Sequence, residues 1–460
     1  MRRAKFFPVA VLLVLTALAQ AQESELRSEF RREGDQFKEN CTKFSLKSVV
    51  GCGEVFFTGH PLHIAVGSLA PQNGFGVGPA FVAHWTPNND WRLNLNADGV
   101  VSTNGSWRAG AYLKAVHTKI NPGTIEVRPF PIFNVYVQTT SLNKVGYFGL
   151  GPDTLRSDES FFGMRESIVG TNVIYPVASK ALNLSFYGEA NGRFVEIRDS
   201  RDGGAPSIEQ RFTEATAPGL TSQPSYAQFG EGIRVRPSLF SGAIKLNYSV
   251  LYQQFVAAGD SRFSFQRLTL DLTHQIPLYR NQKGTTLARD HNGPDDCSSE
   301  VTSKEHNCPS ATAPVTRNRE GNIGLRLLLT ESFTSTGHVV PFYFQPTLGG
   351  SDIDGKASLA SYQDYRFRAP NLLLLQGNIE HSLYGPIGVT FLAETGKVAL
   401  TRGDIEFKHF VHSYAAGLTL RAGGFPMVSL RFAWGGNEGT HNTVSMNNSL
   451  LGGSSRPSLY

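Results

Sequence analysis

After its first twenty residues the sequence has no apolar run approaching the roughly eighteen residues that a membrane-crossing helix needs, which excludes a helical membrane protein. Charge is also scarce, at 18% of residues, and the formal balance of +5 falls to +2 once Arg2, Arg3 and Lys5 are set aside with the leader described below. No basic patch marks a nucleic-acid surface. Enzyme signatures are missing too: there is no Gly-x-Ser-x-Gly elbow, no His-Glu-x-x-His, and no phosphate-cradling glycine loop followed by Lys and Ser or Thr. The expectation is a protein that is not an enzyme and carries no cofactor and no metal. Convincing 3.6-residue periodicity is absent between residues 61 and 452, so no helical domain is expected there.

What is present begins with a leader. Arg2, Arg3 and Lys5 precede a short apolar stretch, and Ala19-Gln20-Ala21 has the small-x-small pattern of a cleavage site, so residues 1–21 read as a secretory signal peptide. From residue 61 onward one theme repeats: an alternating run, a turn, another alternating run. In WRLNLNA (91–97), Trp91, Leu93, Leu95 and Ala97 fall on one face of an extended chain, with Arg92, Asn94 and Asn96 on the other. Leu182, Leu184 and Phe186 oppose Asn183 and Ser185 in the same way, and Leu268, Leu270 and Leu272 interleave with Arg267, Thr269 and Asp271. Asn104-Gly105 between two such runs is a hairpin signal.

Sixteen runs can be drawn. The connections at one end are mostly tight, and those at the other, 143–160, 195–224, 334–370 and 401–411, are long and polar. This asymmetry belongs to outer-membrane barrels, whose greasy strand faces cover lipid and whose polar faces line a lumen. Because lipid offers no partner to an open strand edge, such a sheet must close on itself. The expected fold is all-β: a transmembrane antiparallel β-barrel of about sixteen strands over 61–452, in the bacterial outer membrane, followed by a tail at 453–460. Residues 22–60 are expected to form a periplasmic extension, helical over ESELRSEFRREGDQFKEN or without order. The polar stretch 279–321 reads as a periplasmic insertion without fixed structure over part of its length. Cys41 and Cys52, and Cys297 and Cys308, form two pairs of equal spacing on the oxidising periplasmic side, where two local disulfides are favoured over a cross-link between the segments.

Two stretches carry a family resemblance. Residues 345–398 run LGGS, a polar loop, YQDYRFRAPNLLLL, and two strands passing Glu380 and ending in ETGKV; residues 147–170 contain YFGLGPDT and FFGMRESIVG. This pattern resembles the bacterial surface antigen family of sixteen-stranded barrels, relatives of barrel-assembly factors and two-partner secretion transporters. The resemblance implies that Gly349 and Gly350 open a long outer loop that folds back into the lumen, and that Glu380 and Glu394 are the lumen acids that hold it. The sequence departs from the pattern where the family carries leucine-arginine-glycine-aromatic, because this chain reads Leu359-Ala360-Ser361-Tyr362. Arg366 and Arg368 are the candidate substitutes for the missing arginine. Only about 39 residues lie between leader and first strand, so no periplasmic polypeptide-transport-associated domain is expected.

The functional expectation is a barrel that assists protein or lipid insertion or translocation, in contact with outer-membrane lipid and with a periplasmic or outer-membrane protein partner. A passive pore or structural barrel is the alternative, and a lipid-modifying barrel enzyme using a wall histidine such as His274 or His412 is the third reading.

Overall fold

The computed structural model describes residues 61–446, apart from 89, 118–129, 178–181, 202–205, 241–243, 290–311, 385–386 and 423–424, together with nine residues between 27 and 41. Residues 1–21, read above as a signal peptide, most of 22–60, Cys52, Cys297, Cys308 and residues 453–460 lie outside the described residues. Cys41 is disulfide-bonded, and the described residues from Arg27 to Cys41 are helical.

Sixteen strands follow one another in the sheet in chain order. They are β1 (Leu62–Ser68), β2 (Phe75–Asn88), β3 (Trp91–Ser102), β4 (Trp107–His117), β5 (Ile132–Tyr147), β6 (Ser160–Pro176), β7 (Ser185–Asp199) and β8 (Tyr226–Val235). After them come β9 (Ile244–Ala257), β10 (Phe265–Arg289), β11 (Thr312–Phe333), β12 (Asn371–Tyr384), β13 (Ile387–Ala399), β14 (Val411–Ala422), β15 (Phe425–Gly436) and β16 (Gly439–Met446). Every pairing between neighbours is antiparallel. Beyond Pro237, which has no N–H to give, Ser238–Leu239 continues the edge of β8 against β9.

The side chains decide what this sheet faces. On β3, Val101 is exposed on the outer face, while Asn96 and Asp98 point inward and Arg108 of β4 reaches Asp98 at 3.0 Å with both side chains nearly inaccessible. Leu93 and Leu95 share the outward parity of Val101 and are half-buried. Phe133, Val135 and Val137 on β5, Phe186 and Phe194 on β7, and Leu418, Leu430 and Phe432 on β14 and β15 are exposed on the outside. Inside, Glu166 pairs with Arg193 at 2.7 Å and Asp271 with Arg326 at 2.8 Å. Ions inside and Leu, Val and Phe outside invert the order of a water-soluble sandwich, and only a surrounding apolar solvent stabilises that arrangement. The chain is therefore a transmembrane antiparallel β-barrel, and WRLNLNA turns its Trp and Leu side chains toward lipid. No described helix is long and apolar enough to cross a membrane.

The two ends of the polar stretch 279–321 are strand, and 290–311 lie outside the described residues. Tyr279 to Arg289 pairs with Thr312 to Gly321 and carries the β10–β11 hairpin well beyond its neighbours, with a register shift at Pro277/Tyr279. Its composition is polar because that extension has no lipid to face, and its Thr and Val residues still favour extended backbone.

The long connections gather at one end and build a hydrophobic core there rather than splaying. Leu69 and Ala70 from the β1–β2 turn, Tyr147 and Phe148 at the end of β5, Ile208 and Leu220 from the β7–β8 connection, and Val340 and Phe342–Phe344 from the β11–β12 loop are all buried.

Candidate functional site

The β11–β12 loop, residues 334–370, fills the outer part of the lumen. Gly349 (φ +108°) and Gly350 (φ +58°) turn the chain back on itself. A Cβ on Gly349 would lie 2.7 Å from the Gln363 carbonyl, and one on Gly350 would lie 2.7 Å from the Asp364 amide, so the turn needs glycine at both positions. Below it a two-residue ladder, Thr347–Leu348 against Phe367–Arg368, forms the stem of an inward hairpin. Leu359 and Tyr365, both buried, also hold positive φ. Such backbone costs about 1 kcal/mol or more at each non-glycine residue and persists only where packing over-determines it.

Contacts from this one segment reach around the wall. The Ala360 N–H donates to Glu394 of β13 at 2.7 Å, and the Ser361 N–H donates to the Ser413 hydroxyl of β14 at 2.9 Å. His441 Nδ1 of β16 lies 3.0 Å from the Tyr362 carbonyl, the Tyr365 hydroxyl donates to the Pro71 carbonyl, and Arg267 of β10 donates to the Phe344 carbonyl. A sheet whose β1–β2 turn, β10, β13, β14 and β16 all touch one loop has curled around it.

Above the hairpin, Phe342, Tyr343 and Phe344 form a ring stack with the wall. Phe342 meets Phe162 at 5.0 Å and Tyr147 at 5.3 Å, both edge-on, and Phe344 meets Tyr226 at 5.0 Å and Phe255 at 5.3 Å. Below the hairpin the lumen keeps a cavity of about 340 Å³, where Glu189, Arg193, Asp271, Arg326 and the loop's Asp352 and Asp354 meet Leu251, Leu328 and Leu372. Glu189 collects hydrogen bonds there from Tyr187, Gln228 and Gln253.

The candidate lock residues are placed as follows. Glu394 lies against the loop at Ala360. Its carboxylate accepts the backbone N–H there and a hydrogen bond from Gln376 Nε2 at 2.6 Å. Arg366 does not pair with either candidate acid. Its guanidinium meets Glu438 at 2.6 Å and reaches the Thr154 hydroxyl at 2.7 Å, and it lies over the Phe148 and Phe367 rings. Arg368 donates to the Phe342 carbonyl at 2.8 Å, while its own carbonyl accepts from Gly151, inside the YFGLGPDT stretch. Glu380 sits lower on β12, half-buried, opposite Asn322 and Thr390. Glu438 carried no signal in the sequence beyond its place in a short turn, because only the fold brings residues 366 and 438 together.

In the loop itself, burial pushes the Asp364 carboxyl up to about 6, and burial with the neighbouring Asp354 charge pushes Asp352 up to about 6. Of the wall histidines, His274 turns outward, its Nε2 2.7 Å from the Tyr248 hydroxyl, because it shares its parity with Leu270 and Leu272. Among the described residues no group of three or more His, Cys, Asp or Glu side chains is placed to hold a metal ion.

No protein-family model matches the sequence, and no curated protein matches it. Solved structures do. CdiB from Acinetobacter baumannii aligns at 12% identity and a TM-score of 0.46, over 83% of this chain and 58% of its own. CdiB from Escherichia coli aligns at 10% and 0.49, over 84% and 61%. BamA from Haemophilus ducreyi lacking POTRA domains 1-3 aligns at 10% and 0.48, over 84% and 69%. The chain thus spans about three fifths of the length of either CdiB chain. These likenesses are faint, and the architecture stands on the chain's own strands and loop: a sixteen-stranded antiparallel β-barrel whose longest outer loop is folded into its lumen.

Proposed function

We propose that this protein acts at the bacterial outer membrane in placing polypeptide or lipid into or across the bilayer, together with a protein partner, and that it does so without catalysing a covalent step. A single contrast carries the reading: the 334–370 loop fills the outer end of the lumen, while among the described residues the first and last strands share no registered pairing. Among the described residues the registered pairings run from β1 to β16, and none joins β1 to β16. Paired strands leave no free backbone groups in lipid, whereas unpaired edges cost several kcal/mol per unsatisfied group. A side seam of this kind is a place where another strand or a lipid can be received. The sequence resemblance at 147–170 and 345–398 supports the same reading.

The test joins the seam. One cysteine is placed within Leu62–Ser68 and one within Gly439–Met446, and oxidation is scored by the gel shift of the unheated barrel. The expected outcome is that oxidised protein in liposomes loses the ability to promote insertion of an unfolded outer-membrane polypeptide, that reduction restores it, and that neither form conducts in a planar bilayer. A steady open-channel conductance from the unmodified barrel, with insertion unaffected by the cross-link, would favour the passive pore instead.

A further inference from the structure

We infer a binding site for the phosphate of an anionic lipid headgroup on the outer wall of the barrel, where β5, β6 and β7 reach the long-loop rim. It goes beyond the proposed function and rests only on the outward apolar band being the membrane-facing surface.

The site is built by register. Ser141 of β5 faces Arg165 of β6, and Arg165 faces Glu196 of β7. One rung higher, Gly163 of β6 faces Arg198 of β7. All five positions share the outward parity of Val137 and Phe194. Arg165 pairs with Glu196, and both side chains are about half exposed. Arg198 donates to the Ser141 hydroxyl at 2.9 Å, while its Nε is enclosed and has no hydrogen-bond partner. Arg201, fully outside, is anchored above β5 by its N–H on the Asn143 carbonyl. The arginines at 165 and 201 both repel Arg198, and Glu196 is the acid that attracts it. Three guanidinium groups therefore gather near the Glu196 carboxylate at the surface, and Asp199 is exposed beside them in the chain.

Height completes the argument. From Phe133 to Ser141 along β5 is about 27 Å of extended chain, or about 20 Å along the membrane normal at a usual strand tilt, close to the height of an outer-membrane apolar band. Phe133, Val135 and Val137 mark that band, and the arginines stand at its upper border, where lipid phosphates lie. Forked guanidinium groups suit phosphate oxygens better than any other common membrane chemistry. Acyl chains of the same lipid would run down over Phe194, Val137 and Val135.

The experiment uses the full chain, purified in a neutral detergent and stripped of lipid, with its unfolding temperature followed on addition of lipid A. The comparisons are dephosphorylated lipid A and inorganic phosphate at equal concentration. Phosphorylated lipid A should raise the unfolding temperature and the other two should not. The triple variant Arg165→Ala, Arg198→Ala, Arg201→Ala should weaken the response at least about tenfold in concentration. Glu196→Gln, which removes the competing acid and leaves the arginines, should strengthen it; a purely structural role for the cluster predicts no gain. A full response from dephosphorylated lipid, from inorganic phosphate, or from the triple variant would overturn the inference, as would a weakened response from Glu196→Gln.

Discussion

Single residues carry more of this fold than their sequence context announces. Asn73 lies in a stretch, Gln72-Asn73-Gly74, that reads as a hairpin turn and nothing else. In the structure it is fully buried, and its Nδ2 donates to the Pro71 and Lys144 carbonyls at 2.9 and 2.7 Å. Its Oδ1 accepts from the Ser106 hydroxyl at 2.8 Å and the Lys144 N–H at 3.1 Å, which ties the β1–β2 turn to the β3–β4 turn and to the end of β5. Asn73→Ala leaves buried groups unpaired and should cost about 3 kcal/mol, with Asn73→Asp, which keeps the acceptor, in between; urea unfolding in detergent measures both. The Arg366–Glu438 pair allows a sharper test. Glu438→Gln leaves a buried guanidinium uncompensated at an expected cost of about 3 kcal/mol, and proteolysis of the 334–370 loop should accelerate. Glu394→Ala, which frees the Ala360 N–H, should act in the same direction. Glu380→Gln should leave cleavage unchanged, and a Glu380 effect as large as that of Glu438 would refute this assignment of the lock.

At the scale of elements, alternation alone revealed the wall, because each strand must satisfy two solvents of opposite polarity and period two is the only pattern that does so. Trp91, Leu93 and Leu95 could be placed from seven residues of sequence. The hairpin beyond Pro277 could not, since outside the bilayer a strand has no apolar face to display. The inward loop was legible at Gly349-Gly350, where steric need dictates the residue, but the aromatic stack of Phe342–Phe344 and the 366–438 pair were not, because neither depends on local spacing. The loop also carries a pH dependence. Asp352 and Asp364 sit at about 6 when docked, above the usual aspartate value of 3.8, so the docked loop holds their protons more tightly than the free loop. Docking is therefore favoured most below about pH 4 and loses that contribution as pH rises through 6. Protease cleavage of the loop, corrected for the enzyme's own pH profile, should be slower at pH 5 than at pH 7.5. In the Asp352→Asn, Asp364→Asn variant that difference should vanish, and a wild-type loop equally accessible at both values would contradict the burial described here.

For the whole molecule, strand number and lumen content pull in opposite directions. Sixteen strands enclose a cylinder wide enough for an aqueous channel, yet here the 334–370 loop and its aromatic stack occupy the outer mouth. Two barriers lie in series below that mouth: the hairpin tip at 351–358, and the wall network in which Arg193 bonds Glu166 and Gln228. The network lines the wall and leaves the 340 Å³ cavity beside it, whereas the hairpin crosses the lumen from β10 to β14. The loop is thus the barrier that matters. Replacing residues 349–366 with a short flexible linker keeps all sixteen strands and their pairings, so the protein should still migrate as a folded barrel before heating. It should also turn a silent bilayer into one with discrete conductance steps, which fall again when a peptide of the deleted segment is supplied. If the shortened barrel is folded and still silent, the wall network rather than the loop closes the lumen. The pH and protease predictions would then report a docking event with no bearing on passage through the barrel.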